Sequence, residues 1–492
     1  MSQDIIARFA ALKAGNAALR QTDAAQRAGK IQRLLAATLA RKDEIRRVVR
    51  EELGCAQADI DAQLLMIKTE AEFICRHLSG WMQPQKIQGS IMSLGKASYV
   101  QYEPKGTVLV LGTWNAPYAI SFVPAFGAIA AGNSVVIKPS ELAPASAALI
   151  GEIVAAADLA DTVIVEQGGA EVAQALLAQP INHVFYIGGH HVGRLVMKAA
   201  ADHFASVTLE MGGKNPVVLD KSADIEDAAR KISWGRLSNA GQICIAPEYV
   251  LAHESVMPAF VEALKTAIQA QYNPDGRGFD QSDEFARIIN ERHHARIVGL
   301  IDDAVSKGAT LAFGGEHDAA RRYIAPTILT GVTADMKIDQ EEVFGPILVV
   351  KSWSQPEQAL AEIESKPKPL ASYIFAKDRA AIDWFLARTT SGSTVVNHNV
   401  IQSGTNPNLP FGGVNDSGMG RLGGHFSFLE TANARAVVEE GPPLMDPNLM
   451  FPPYSDKYKK MIGDMLDKSF HMPDGVINAI NGMIRVFSVF RR

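Results

Sequence analysis

From residue 106 onward, short apolar runs alternate with longer segments of helical period, and this alternation constrains the fold more than any other feature. "GTVLVLG" (106–112), "SVVIKPS" (134–140), "TVIVEQ" (162–167) and "HVFYIGG" (183–189) are too short for helices. An uninterrupted apolar run of that length suits a strand buried on both faces. Between them lie "WNAPYAISFVPAFGAIAAGN" (114–133), with a helix after a Pro-containing turn, and "HHVGRLVMKAAADHF" (190–204). Repeated strand and helix at this spacing predicts a parallel sheet covered on both sides.

The alternation continues after "SVTLEMGGKNPVVLD" (206–220). "DIEDAARKISWGRL" and "FVEALKTAIQAQY" read as helices. "GATLAFGG", "YIAPTILTGV", "ILVVKSW" and "GSTVVNH" read as strands, so a second α/β domain is predicted over 212–398. At 492 residues the chain is too long for one core, which agrees with two or three domains. Residues 1–80 read as helical, with Gly54 as a stop signal, and 85–106 reads as a strand pair. "EGPPLMDPNLMFPPYSDKY" (440–458) is rich in Pro and predicted extended.

Charge and cysteine usage narrow the function. A net charge of −5 without a basic run argues against nucleic acid as the main partner. No basic leader with an apolar block opens the chain, and no stretch of about 18 apolar residues predicts a membrane span. Three cysteines, Cys55, Cys75 and Cys244, form an odd, sparse set that suits a reducing, cytoplasmic setting. Cys55 and Cys75 fall in helix-like sequence and read as packing residues. No Cys or His spacing predicts a metal. His190 and His191 are adjacent and read as a polar loop or a helix start.

Cys244 sits between two isoleucines, where a lone cysteine is most often a small buried hydrophobe. Asn239, Gly241, Gln242 and Pro247 around it predict irregular, partly accessible backbone. Glu210 ends a β-rich run before Met-Gly-Gly, where a carboxylate can enter a cleft or be solvated in a loop. Asn115 follows an apolar strand; it could donate to an oxyanion or cap the next helix. Lys138 and Glu141 close a strand where ribose hydroxyls could be held. Gly188, Gly189 and Gly193 lie between a strand and a helix, where backbone N–H groups can meet phosphate. The spacing differs from G-x-G-x-x-G, so the glycines alone are a weak signal.

Together "GTWNAP", "IKPSE", "LEMGGKNP", "GQICIAP", "EEVFGPI" and "LPFGGVNDSGMGR" resemble the aldehyde dehydrogenase superfamily, in its order and over about 5–440. The wording of "WGRLSNAGQICIAPEYV", the short N-terminal arm and the Pro-rich tail are similar to its class 3 branch of fatty, aromatic and coniferyl-type enzymes. The resemblance implies a Rossmann-like NAD-binding domain (1–83 and 105–211) and an α/β catalytic domain (212–398). It also implies a small β flap for oligomerisation (84–104 and 399–440), with 441–492 as a tail. It implies Cys244 as nucleophile, Glu210 as general base, and Asn115 with the Cys244 backbone N–H as oxyanion hole. Glu342 and Phe344 would meet the nicotinamide ribose, Lys138 and Glu141 the adenosine ribose, and Gly188 and Gly189 the pyrophosphate. Many members carry a serine where this chain has Gly189, so one hydroxyl contact is lost.

The implied reaction is oxidation of an apolar aldehyde, aromatic or medium- to long-chain, to the acid. Glu141 favours NAD by repelling a 2′-phosphate, with NADP left open by Lys138. Trp114, Tyr118, Phe122 and Trp234, with Ile243 and Ile245, could line an apolar channel or pack in the core. Alternatives are a CoA-acylating enzyme, a non-catalytic binding protein on the same fold, and a cofactor-free thiol hydrolase. A homodimer is implied. The apolar stretch 475–490 leaves three roles open: a helix on a membrane surface, a cover over the substrate mouth, or packing on a partner subunit.

Overall fold

The computed structural model describes residues 2–89, 96–402, 406–440, 451–467, 475, 476 and 479. The chain divides into two compact units, Met1–Leu78 with Pro104–Thr431, and Ser79–Glu103 with Ala432–Arg492.

In the larger unit five helices come first, ending with Gln57–Trp81. Gly54 stops the fourth in the left-handed conformation at φ 66°, as its sequence predicts. Cys55 departs from the expectation. It lies fully buried in the turn between Lys42–Leu53 and Gln57–Trp81, because Gly54 ends the helix one residue earlier.

A six-stranded sheet follows, in the order Gly418–Met419, Ser206–Met211, His183–Gly188, Thr107–Leu111, Ser134–Lys138, Val163–Val165. All neighbours are parallel except Gly418–Met419, which pairs antiparallel. Every residue of Thr107–Leu111 and Ser134–Lys138 is buried, which explains why these strands read as unbroken apolar runs. Each fully buried Val, Leu or Ile there contributes about 1.5–3 kcal/mol. The helix Pro117–Ala131 is buried along nearly its whole length. It approaches Gly424–Thr431 so closely that a Cβ on Gly127 would lie 2.3 Å from the Ser427 Cβ.

The chain leaves Thr107–Leu111 toward Ser134–Lys138 on one side and later returns to His183–Gly188 on the other. Such a reversal opens a crevice at the carboxyl ends of the two central strands. Asn115 and Gly188 both lie at that edge.

The second sheet has seven strands, in the order Thr310–Phe313, Thr327–Thr330, Ile347–Trp353, Tyr249–His253, Pro216–Leu219, Ala371–Phe375, Ser393–Val396. Only Thr310–Phe313 is antiparallel to its neighbour. Tyr249–His253 at its centre, and the helix Glu291–Ser306, were not singled out from the sequence. His190 and His191 open the helix His190–Ala201.

The smaller unit holds a three-stranded sheet of Gln85–Lys86, Lys96–Pro104 and Ala432–Glu440. Gln85 pairs with Val100 and Lys86 with Tyr99, both antiparallel. The segment 399–440 is thus divided between the two units at Thr431. Part of the Pro-rich stretch is helical rather than extended: Asp456–Asp467 starts inside it. There the Ser455 hydroxyl accepts from the Tyr458 N–H at 3.2 Å, two residues after Pro453. Apart from 475, 476 and 479, the stretch 475–490 lies outside the described residues. Among the described residues no helix is long and apolar enough to cross a membrane.

Candidate active site

Cys244 follows an unusual piece of backbone. The helix Ile225–Leu237 ends at Ser238, and Asn239, Ala240 and Gly241 take φ of 49°, 50° and 75° in succession. Positive φ is costly for Asn and Ala, so the loop must be held by its surroundings. At Gly241 a side chain has no room: a Cβ would lie 2.3 Å from the Gly345 carbonyl oxygen.

Buried side chains supply the hold. The Gln242 amide donates to Asn239 O and Arg287 O, each at 2.9 Å, and accepts from Ile289 N–H at 3.0 Å. The Asn239 amide donates to Asn115 O at 3.1 Å and Gln242 O at 3.3 Å, and accepts from the Cys55 thiol at 3.0 Å. Asn215 donates to Cys244 O at 2.8 Å and Ala246 O at 3.0 Å, while its own oxygen accepts from Ala371 N–H at 2.9 Å. Cys55 is therefore a hydrogen-bonding partner of the loop as well as a packing residue.

Cys244 is half-buried and lines a cavity of about 430 Å³. Glu210 and Asn115 line the same cavity. Glu210 sits in the strand Ser206–Met211, 3% exposed, with its Oε1 lacking any hydrogen-bond partner. Burial pushes its carboxyl up to about 7, partly offset by the Cys244 thiol. Burial likewise pushes the Cys244 thiol well up, and the Glu210 carboxylate beside it adds to the rise. The pair is thus protonated more readily than either group in water, and one proton transfer within it separates thiolate from acid.

Asn115 is buried, and its amide nitrogen donates to Gln242 O at 3.0 Å. An amide NH₂ has a second hydrogen, and Asn115 is one of the residues that line the cavity. The following helix begins after Ala116 without any side-chain cap, so Asn115 is not a helix cap.

The remaining expected residues lie along the crevice. Lys138 ends its strand with Nζ 3.0 Å from the Glu141 carboxylate and 3.1 Å from Pro139 O. Gly189 precedes the helix His190–Ala201, and a Cβ there would meet nothing within 4 Å. An open glycine before a helix N-terminus of twelve residues leaves backbone N–H groups accessible to an anion. Glu342 packs so closely on Gly212 that a Cβ there would overlap its carboxylate. Burial first, then Glu248 and Glu210, push the Glu342 carboxyl up to about 8. Phe344, at φ 47°, meets the Trp114 ring edge-on with centroids 5.5 Å apart.

The expected aromatic channel needs correction. Trp234, Ile243 and Ile245 line the cavity, together with Met66, Val123 and Phe411. Tyr118 and Phe122 do not: they are 1% and 0% exposed, on the core side of the helix Pro117–Ala131. Trp114 is held by Phe344 and His293 instead. A helix has a face for each of these residues, and Ala119, Ile120 and Val123 occupy the cavity face. Among the described lining residues there is no histidine, and the carboxyl beside Cys244 is that of Glu210.

The sequence reading missed several contributors. Asn215 and Lys214 stand within five residues of Glu210, and only their burial marks them. Glu70, on Gln57–Trp81, lines the cavity, accepts from Gly424 N–H, and is pushed up to about 7 by burial. Nothing in its helical context distinguishes it from a solvated glutamate.

Comparison with known proteins places the chain in a family. The sequence model of the aldehyde dehydrogenase family matches residues 2–437. The chain is 36% identical over 438 residues to 4,4′-diaponeurosporen-aldehyde dehydrogenase of Staphylococcus aureus, covering 89% of this chain and 94% of that one. It is 38% identical over 431 residues to aldehyde dehydrogenase family 3 member A2 of Rattus norvegicus (85% and 87%). It is 36% identical over 431 residues to the dimeric, NADP-preferring aldehyde dehydrogenase of Canis lupus familiaris (85% and 93%). Among solved structures, the substrate-bound state of Staphylococcus aureus AldH superposes with a TM-score of 0.87 at 34% identity, over 93% of this chain and 99% of that one. An NAD-dependent aldehyde dehydrogenase from Sinorhizobium meliloti gives 0.82 at 26% identity (90% and 88%).

Proposed function

This chain belongs to the aldehyde dehydrogenase family, and from that premise we propose that it oxidises an apolar aldehyde to the carboxylic acid with NAD or NADP. The observation that carries the reading is the convergence of Cys244, Glu210 and Asn115 on one largely apolar cavity. The Cys244 thiolate adds to the aldehyde carbonyl, and the new O⁻ takes N–H donors from Asn115 and the Cys244 backbone. Losing one such donor typically costs on the order of 10²–10³ in rate. Collapse of the thiohemiacetal leaves a thioester on Cys244. Glu210 then takes a proton from water, which attacks the thioester and releases the acid. A carboxyl poised near 7 suits that role, and it favours water over CoA as the acyl acceptor.

The residues present fit a dinucleotide. The backbone N–H groups in the first turn of the helix His190–Ala201, the Lys138–Glu141 pair at a strand end, and Glu342 on its loop are the groups that would hold pyrophosphate and the two riboses. When bound, the nicotinamide supplies the hydride acceptor for the aldehyde hydrogen. Glu141 presents a carboxylate that repels a 2′-phosphate, and the reading favours NAD. The domain assignment goes with these roles: the six-stranded sheet holds the cofactor and the seven-stranded sheet carries the nucleophile.

The apolar lining favours an aromatic or medium- to long-chain aldehyde. The S. aureus relative is named for a diaponeurosporen aldehyde, which is in keeping with it. A homodimer is part of the same reading. Ala432–Glu440 is a nine-residue edge strand, a template for pairing with a second copy. Elution at monomer mass at micromolar concentration refutes the dimer.

Absorbance at 340 nm tests the reaction. Aldehyde-dependent reduction of NAD or NADP, absent in Cys244→Ala, is expected. No signal with short, long and aromatic aldehydes and either cofactor refutes it.

A further inference from the structure

Beside the cavity lies a fully buried charge cluster that the reaction as described leaves unused. Glu248 is 2% exposed, between the nucleophile segment and the strand Tyr249–His253. One carboxylate oxygen accepts from Lys214 Nζ at 3.0 Å and from the Val343 N–H at 2.8 Å. The other accepts from Arg236 Nη1 at 2.7 Å. Arg236 reaches on to the loop that Glu248 holds at Val343, and Lys214 to the short helix Lys337–Gln340 just before it. Lys214 donates to Ile338 O at 2.9 Å, and Arg236 donates to Gly345 O. Arg236 is 1% exposed and Lys214 5%.

The loop so gripped has no regular structure and holds Phe344 at φ 47°. A bulky residue persists in that region only where its surroundings over-determine it. Burying three charges is costly, and apolar packing of similar volume often stabilises a fold as well or better. Charge-assisted hydrogen bonds add directionality that apolar packing lacks. Burial would raise the Glu248 carboxyl, but Arg236 and Lys214 hold it down at about 2, so Glu248 stays ionised throughout the working range.

We propose that Glu248, with Lys214 and Arg236, is a positioning residue for hydride transfer: it fixes the Val343 N–H so that Glu342 and Phe344, on either side, present one geometry to the nicotinamide ribose. This rests on the functional reading above, in which Glu342 and Phe344 border that ribose. Glu248 acts through the loop and touches no reacting atom.

The test uses two reactions of one enzyme. Oxidation of aldehyde needs Cys244, Glu210 and the cofactor loop. Hydrolysis of p-nitrophenyl acetate without cofactor needs only the first two: the thiolate attacks the ester carbonyl, nitrophenolate leaves, and water activated by Glu210 cleaves the thioester. In Glu248→Gln, kcat/KM for the cofactor is expected to fall about 100-fold, the typical cost of a misplacement near 1 Å. The isotope effect with 1-deuterio-aldehyde should rise as hydride transfer becomes limiting, while ester hydrolysis stays close to wild type. Glu248→Asp, which keeps the charge, should recover part of the loss. Unchanged cofactor kinetics overturn the proposal, and so does parallel loss of both reactions, the mark of general disruption. Should Glu248→Gln fail to fold, Arg236→Lys keeps the charge and drops the fork to Gly345, and the same split is read from it. Wild-type protein that hydrolyses the ester yet oxidises no aldehyde overturns the functional reading instead, and is recognised before any variant is compared.

Discussion

Replacing Glu210 by glutamine should cost activity and add stability, and pH separates the two effects. The carboxyl is 3% exposed, has no cation beside it among the described residues, and is pushed up to about 7 mainly by burial. As the base for thioester hydrolysis it must be ionised. Turnover limited by that step should fall about tenfold per pH unit below 7 and level off above it. Glu210→Gln should lower kcat by about 10²–10⁴, remove that pH step, and leave a burst of acylation in place.

The stability sign is opposite. A rise from 4.5 to about 7 on folding corresponds to about 3 kcal/mol. Because the folded value is the higher one, the favourable contribution is complete below about 4.5 and is lost as pH rises through about 7. A neutral amide escapes that loss. Glu210→Gln should therefore raise the urea midpoint at pH 8 by up to about 3 kcal/mol equivalent, with a gap that narrows toward pH 5. A gap independent of pH refutes the assignment of the strain to ionisation. A variant whose turnover keeps the wild-type pH midpoint refutes Glu210 as the base.

Other substitutions test neighbouring parts. Asn115→Ala should reduce both aldehyde oxidation and ester hydrolysis by about 10²–10³, since both form an oxyanion; loss of one alone refutes the role. Gly241→Ala forces a Cβ at φ 75° to within 2.3 Å of Gly345 O, and should cost on the order of 1–3 kcal/mol and slow alkylation of Cys244 by iodoacetamide. Wild-type alkylation kinetics refute the close approach. Trp234→Ala should reorder preference among aldehydes of different length, whereas Tyr118→Phe, in the core, should leave the order intact. Glu141→Gln should shift the ratio of NADP to NAD efficiency upward by about tenfold, the equivalent of about 1.4 kcal/mol; an unchanged ratio removes Glu141 from discrimination.

The central strands of the six-stranded sheet were legible because a strand buried on both faces must be apolar throughout, and a five-residue apolar run has few other uses. That logic recovered Thr107–Leu111 and Ser134–Lys138. Cys244 by itself was ambiguous, since a half-buried nucleophile and a packing thiol look alike between two isoleucines. The ordered set of motifs pointed to the family, which the family comparisons show, and the role of Cys244 is part of the proposed function.

What the sequence by itself determined was the family, the alternating α/β architecture and the residue types available for chemistry, because these follow from local pattern and order along the chain. What only the tertiary structure decided was which side chains face the cavity and which hold its walls. Tyr118 and Ile120 share one helix, yet one packs in the core and the other lines the cavity. Asn215, Arg236 and Glu248 read as ordinary polar residues until folding buries them against Cys244 O, Gly345 O and Val343 N–H. The physical reason is that burial and hydrogen-bond partnership join residues far apart in the chain, 109 positions for Arg236 and Gly345 and 184 for Cys55 and Asn239, and no local pattern encodes such distances.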